Sequence, residues 1–547
     1  MRRPVSAASR RRRARLCVAL LAASPGIALA DASPAGSPMV QSAAASGASP
    51  TGVADAVAPR AVRAPSIEFS VDSTVTATDN ANAASDATKR GDVLGILRPH
   101  ALWRHDAPGL KANLEGALVF TGSASGRTPD TVRPDLHGSG TASLVDDWLY
   151  LDASARVVQA EADPFGPRVQ DSTAANRRTE QAAAVSPWVR HRLSRTMSML
   201  LRREDTITWH ATGTDTTRVT QLTDLRLDLD PEPLGGVAEL SRQASHDRDM
   251  PLSALTLDTA RAGLRYGREN SELVLTAEGG ADHLRTALTE HTDPLAAVSA
   301  TWKPTPRTDI GVLVEHRFFG KGGAFTLRHR TPWTSISIDV SREPMLVSES
   351  LGGLAGLNGG ADLRAALDAL LTTRYPDPTV RSGLVDQIIT GRGLDGSVTA
   401  PMDTLADYPQ LVTQASAAWT VLTTRTTFSV AAWSRAAQVL RRNGDPLAAL
   451  PGFGSDNRQV GGTVQFGRKL SSTLSLDALA QVSRIQALGS SSNLRSDDRT
   501  LRVWLSRSLT PRATMSVGAQ VERFDSNAPG QPGFHATLAF AGFTERF

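Results

Sequence analysis

Apolar and polar residues alternate with a period of two in segment after segment of this chain, up to an aromatic at its last position, Phe547. Leu149, Leu151, Ala153, Ala155 and Val157 are interleaved with Tyr150, Asp152, Ser154 and Arg156, and the same alternation runs through 225–230, 273–278, 335–341, 474–483 and 515–522. Successive side chains of a strand point to opposite faces, so each segment carries one apolar and one polar face. After the first thirty residues no apolar run reaches the roughly 20 residues that a membrane-spanning helix needs. Alternation this persistent specifies an all-β fold: a large antiparallel transmembrane β-barrel with lipid outside and water inside.

The connectors support that reading because they alternate in length. Short ones (145–147, 193–195, 303–307, 330–332, 510–512) fall between longer ones such as 163–176, 248–256 and 443–457. Short turns on the periplasmic side and longer loops outside are the barrel asymmetry. Counting strands from residue 66 gives roughly 22, within about 20–24, and an even number returns both ends of the barrel to the periplasm.

Residues 1–30 read as a secretory signal. Seven arginines (Arg2, Arg3, Arg10, Arg11, Arg12, Arg13, Arg15) precede the short apolar core Leu16–Ala23, and Ala28-Leu29-Ala30 forms an A-x-A cleavage site. The single cysteine, Cys17, lies in that core behind Arg15 and Leu16, so the exported chain is expected to hold no thiol and no disulfide. Removing those seven arginines from the 59 basic residues leaves 52 against 55 acidic ones, a charge of −3. The high isoelectric point therefore does not argue for nucleic acid, whose partners cluster their basic residues. Residues 31–65, almost wholly Ala, Ser, Pro, Gly and Val, read as a disordered linker. The barrel is expected over 66–547.

One connector differs from the rest. Within 347–405, Leu363, Leu367, Leu370 and Leu371, and then Val380, Leu384 and Ile388, recur at helical spacing. This outward loop is expected to be a helical insertion, either a cap on the rim or a constriction folded into the mouth.

Candidate lumen-lining residues are Asp309, Glu315, Arg317, Arg328, Arg330 and Asp339, whose mixed charges either meet a polar solute or brace the wall. No catalytic residue, cofactor site or metal site is assigned. Nucleophile elbow, zinc-protease helix and phosphate loop are missing from the sequence, and His210, His246, His283, His316 and His329 stand without metal-ligand spacing. No enzymatic activity is expected. Phe547 is the expected assembly signal for the barrel-assembly machinery, although Glu545 interrupts the apolar positions before it, and Leu538 and Phe540 are apolar on the opposite face.

The segment 302–330 carries a recognisable pattern: Trp302, Pro304, Arg307 and Thr308 in a turn, Arg317-Phe318-Phe319-Gly320 at the next, then His329-Arg330. It is similar to the PEP-CTERM system-associated outer-membrane barrel proteins, encoded beside exosortase and exopolysaccharide biosynthesis genes in Gram-negative bacteria. The stretch through Leu363, Arg364, Tyr375, Arg381 and Val385 before Gly391 is similar to that family's insertion. The resemblance implies an outer-membrane barrel working beside a secreted polysaccharide, as a channel or accessory, and supplies no catalytic residues. Alternatives are a general diffusion porin for small polar solutes and a closed structural or adhesion barrel. The partners expected are outer-membrane lipids, the assembly machinery and polysaccharide or its export components.

Overall fold

The computed structural model describes residues 63–547 apart from 127–128, 147, 162, 164, 168–175, 211–216, 249–253, 269–271, 288, 346–366, 369, 373–380, 382–383, 386–408, 441–455 and 489–492. The signal segment and residues 31–62 of the expected linker lie outside the described residues. Twenty-two strands follow one another. The first half comprises β1 Arg63–Thr78, β2 Asp92–Ala107, β3 Leu110–Ser123, β4 Thr131–Val145, β5 Leu149–Glu161, β6 Arg177–Arg192, β7 Met197–His210, β8 Thr217–Leu229, β9 Leu234–Asp247, β10 Leu255–Tyr266 and β11 Leu273–Thr286. The second comprises β12 Glu290–Thr305, β13 Thr308–Arg317, β14 Gly320–Arg330, β15 Thr334–Met345, β16 Gln410–Leu422, β17 Thr426–Val439, β18 Asn457–Lys469, β19 Leu474–Ala487, β20 Arg495–Ser508, β21 Ala513–Ser526 and β22 Phe534–Arg546. The first strand begins at Arg63, three residues before the expected boundary.

Each strand pairs antiparallel with the next, and β1 pairs with β22, from Ser70↔Arg546 to Thr78↔Leu538, so the sheet closes on itself. Closure leaves no edge with unpaired backbone groups, which the hydrocarbon of a bilayer does not tolerate. The chain starts and finishes the barrel at one end. Odd strands run away from that end and even strands return to it.

The period of two becomes an outside and an inside. Ile67, Phe69 and Val75 on β1, Val312 and Val314 on β13, and Val517 and Val521 on β21 are exposed on the outer surface. Their neighbours in sequence, such as Thr76, Glu315 and Glu522, are buried on the inner one. The aromatics Tyr266, Trp302, Trp333, Trp419, Phe543 and Phe547 are exposed towards the terminal end, where amphipathic rings suit a membrane interface. The Phe547 amide donates to the Phe69 carbonyl at 2.8 Å, fixing the last residue to the first strand. Glu545 faces outward opposite Val71, so the break it makes in the terminal pattern is real.

The Pro-rich turn is tighter than its sequence suggests. Trp302 to Thr305 belong to β12, and only Pro306 and Arg307 remain as the connection.

Ala77 and Ala539 face each other across the closing seam, on strands whose partners lie at disulfide-compatible spacing. The double variant A77C/A539C is expected to oxidise and give a circularised chain of altered mobility on non-reducing gels after denaturation. A77C/A541C, one pair out of register, is expected to cross-link poorly. Equal yields would contradict the seam.

Candidate functional site

The lumen wall has two different halves. From β5 to β15 it is a ladder of charges on inward positions. Arg226 on β8, Glu239 on β9 and Arg261 on β10 stand in one register row, and opposite charges directly across a ladder attract. Arg261 lies 2.6 Å from Glu239 and 3.4 Å from Glu278; Asp228 bonds Arg226 at 2.8 Å and Arg265 at 3.0 Å; Arg202 joins Asp152 and Glu204, both at 3.4 Å. Each of these charges has an opposite charge beside it on the same wall, which lowers the cost of its partial burial.

All six sequence-derived lumen residues alternate onto this inner face, but they form two groups. Asp309 and Arg330 lie by the terminal rim, Asp309 3.9 Å from Lys303 and Arg330 donating to the Pro306 carbonyl at 3.3 Å. Arg328 reaches Asp339 at 3.0 Å. Glu315 and Arg317 stand at the far end of β13. Arg317 is bonded at 2.7 Å to Asp282, whose side chain is fully buried, and its guanidinium also donates to Thr259. Asp282 and Thr259 carry no motif of their own in the sequence. Asp282 lies two strands away on β11, so only the register exposes it.

The rest of the family-like motif is structural too. Phe318 and Phe319 pack edge-to-face at 5.2 Å, sit beneath the Arg317 guanidinium, and are buried against Leu255, Leu257, Leu284, Leu411 and Leu440. Gly320 closes this two-residue turn at φ +95°, a conformation that favours glycine. His329, on the outer face, bonds Thr308 at 2.9 Å, and Trp302 is exposed at the terminal rim. Of the five singly considered histidines, His283 meets Thr292 and Glu290, and no group of three potential metal ligands occurs among the described residues.

From β16 to β22 the inner wall is largely apolar or uncharged, and the insertion lies against it. Leu367, Leu371 and Val385 form one buried cluster with Ala418 on β16, Ala431 on β17, Trp504 on β20 and Phe540 on β22; Leu384, Leu422 and Leu479 pack around it. The described insertion residues are helical at Leu367, Asp368, Leu370, Leu371, Arg381, Leu384 and Val385, with Arg381 bonding Asp368 at 2.7 Å. Ala418 and Leu422 belong to the second half of β16 and Ala431 to the first half of β17, towards the terminal end. The described residues of the insertion therefore lie inside the barrel. Both a cap on the rim and a constriction folded into the mouth were open from the sequence, and these residues meet the inner wall.

The wall is shaped to receive it. Gly518 leaves room for its neighbours: a Cβ there would stand 2.7 Å from the Phe540 ring and 2.6 Å from Trp504. Arg502 completes the surface, its guanidinium 4.3 Å from the centre of the Phe540 ring and 5.4 Å from that of Trp504. Phe540, apolar on the face where water was expected, was the sequence signal of this contact.

Two further connectors fold inward at the far mouth. Phe165, between β5 and β6, is buried against Ile485 and Ala487 on β19, although β1–β4 and β20–β22 lie between. Ser496 donates to the Phe165 carbonyl at 2.7 Å and Gln531 to Asp163 at 3.0 Å, while Asn176 brackets Asp163 at 2.7 and 3.0 Å. Ala83, between β1 and β2, packs on Phe524, Phe534, Ala536 and Leu538. Asp86 in that connector accepts from His535 at 2.7 Å, a bond that holds its carboxyl below the usual range.

A closed 22-stranded wall, an apolar outer face and an occupied lumen define an outer-membrane type of β-barrel. No protein-family model and no curated protein matches the sequence. Solved barrels similar in fold include the FrpB iron transporter of Neisseria meningitidis, at 8% identity over 88% of this chain and 82% of that one, TM-score 0.46. The siderophore receptor PiuA of Acinetobacter baumannii shows 9% identity over 88% and 82%, TM-score 0.44. The outer membrane protein OpdK of Pseudomonas aeruginosa shows 8% over 88% and 99%, TM-score 0.32. Identities this low carry over no residue, ligand or partner.

The buried and exposed ion pairs separate in energy. Replacing Asp282 by Ala leaves Arg317 buried without its partner, a loss of about 3–5 kcal/mol. Breaking the more exposed Arg328–Asp339 pair with R328Q costs about 0–1 kcal/mol. Heat-modifiable gel mobility is expected to show a much lower unfolding temperature for D282A and almost none of that drop for R328Q. Equal shifts would contradict the assignment.

Proposed function

We propose that this chain is a gated outer-membrane channel for a polar polymer, with the insertion 347–405 as its plug, and that it transports rather than catalyses. The observation that carries the reading is the packing of Leu367, Leu371 and Val385 on the inner faces of β16, β17, β20 and β22. A general diffusion porin needs an unobstructed lumen, and helices lodged inside the wall work against one. The charged half of the lumen supplies fixed donors and acceptors, which suit a hydroxyl-rich chain better than an apolar cargo.

The cargo we assign is a secreted polysaccharide, and the setting an exopolysaccharide export system of the PEP-CTERM type. Support for this finer step is the resemblance of Trp302–Arg330 and of the insertion. A closed structural barrel is the second reading, favoured by Phe165 spanning the mouth. An exported precursor with a cleaved signal at 1–30 fits either.

Planar-bilayer conductance separates these readings. The wild-type barrel is expected to be nearly silent, and a variant lacking 352–403 to conduct steadily and be blocked by soluble polysaccharide. A double substitution, L367D/L371D, is expected to open the channel without shortening the chain, with heat-modifiability confirming the fold. Steady large wild-type currents would establish a porin. Silence of every folded variant would leave the closed barrel.

A further inference from the structure

The outer face of the barrel is not symmetric from end to end. Most of its exposed aromatics lie towards the terminal rim, whereas away from it, on β18–β21, the apolar positions give way to arginines. On β19 the outward series Leu474, Leu476, Ala478, Ala480, Val482 is followed by Arg484; on β21 Met515, Val517, Ala519, Val521 is followed by Arg523; on β20 Arg495, Asp497 and Arg499 precede Leu501 and Val503.

Register brings these arginines together. Val482, Arg499 and Arg523 are successive partners in one row, so Arg499 and Arg523 face each other directly, while Arg484 faces Asp497. Asp497 bonds Arg484 and Arg495, both at 2.6 Å, and Asp525 bonds Arg523 at 2.8 Å. Arg499, and Arg458 on β18, have no ionic partner among the described residues. Like charges directly opposite on a sheet destabilise it. The patch thus retains more positive charge than its own carboxylates neutralise, at the border where exposed Val482, Leu501 and Val521 end.

An anion held there must tolerate an apolar surface on one side. We propose that Arg499 and Arg523, with Arg484 beside them on β19, bind the phosphorylated headgroup of an anionic lipid in the leaflet away from the chain termini. The lipid tails would lie along the apolar face below. Guanidinium groups match phosphate oxygens two bonds at a time, and a shared phosphate converts the Arg499–Arg523 repulsion into two attractions. The proposal rests on the reading of the apolar outer face as lipid-facing.

The test uses the full barrel in zwitterionic detergent, titrated with diphosphorylated lipid A and followed by native mass spectrometry. R499Q/R523Q is expected to lose tenfold or more in affinity. R468Q/R507Q, removing outward arginines on β18 and β20 at the opposite end, is expected to change it less than twofold. Dephosphorylated lipid A is expected to bind wild type no better than R499Q/R523Q. Equal losses in both double variants, or wild-type binding indifferent to the phosphates, would overturn the site. Flotation of the same proteins with phosphatidylcholine vesicles reads membrane insertion separately, so failure to float would instead overturn the membrane reading.

Discussion

In hydrocarbon an unpaired peptide group costs several kcal/mol, and this constraint governs the rest of the molecule. A sheet inside a bilayer must meet itself, and here β1 and β22 do so in continuous register. Once the ring is closed, no strand can slip by one residue without turning its apolar face into the lumen. The register consequently decides where every charge lies. It places Arg226, Glu239 and Arg261 in one row inside, and Arg499 opposite Arg523 outside.

Closure of 22 strands also creates a space that the wall alone does not fill, and barrels of this size hold a plugged lumen or a wide channel. The two halves of the inner surface deal with that space differently. Ion pairs along β5–β15 keep one half polar while leaving little net charge to attract an ion. The other half offers Trp504, Phe540 and small alanines, a surface that water wets poorly and helices can cover. Each large apolar side chain buried there contributes about 1.5–3 kcal/mol, so the described contacts of Leu367, Leu371 and Val385 are weaker than the hydrogen bonding that holds the wall. In the gated channel we propose, it is these contacts that give way while the wall stays intact.

What the sequence disclosed follows from the range of the interactions. Alternation and turn spacing are local, so the strands, their number and the inward placement of Arg317 and Glu315 could be read directly. The partner of Arg317 could not, because Asp282 is reached only through the pairings of β11 with β12 and β12 with β13. Helical spacing revealed the insertion, but its depth depended on which wall it meets. Phe540 carried that information as a residue apolar on the wrong face, and Leu538 did the same for the contact with Ala83. Phe165 gave no comparable sign, since a lone aromatic in a connector does not announce a contact across the mouth.

The motif at 302–330 shows how a conspicuous pattern can describe a scaffold. Trp302 sits at the terminal rim, Arg330 ties down the Pro306 carbonyl, His329 meets Thr308, and Arg317 anchors the Phe318–Phe319 turn through Asp282. Every one of these contacts lies within the wall or its turns, and each is satisfied by the chain itself. A protein sharing the motif would share the way β12–β14 are built and seated. On the proposed channel reading, what passes through the barrel is decided elsewhere, by the charged half of the lumen and by the ease with which Leu367 and Leu371 leave Trp504 and Phe540.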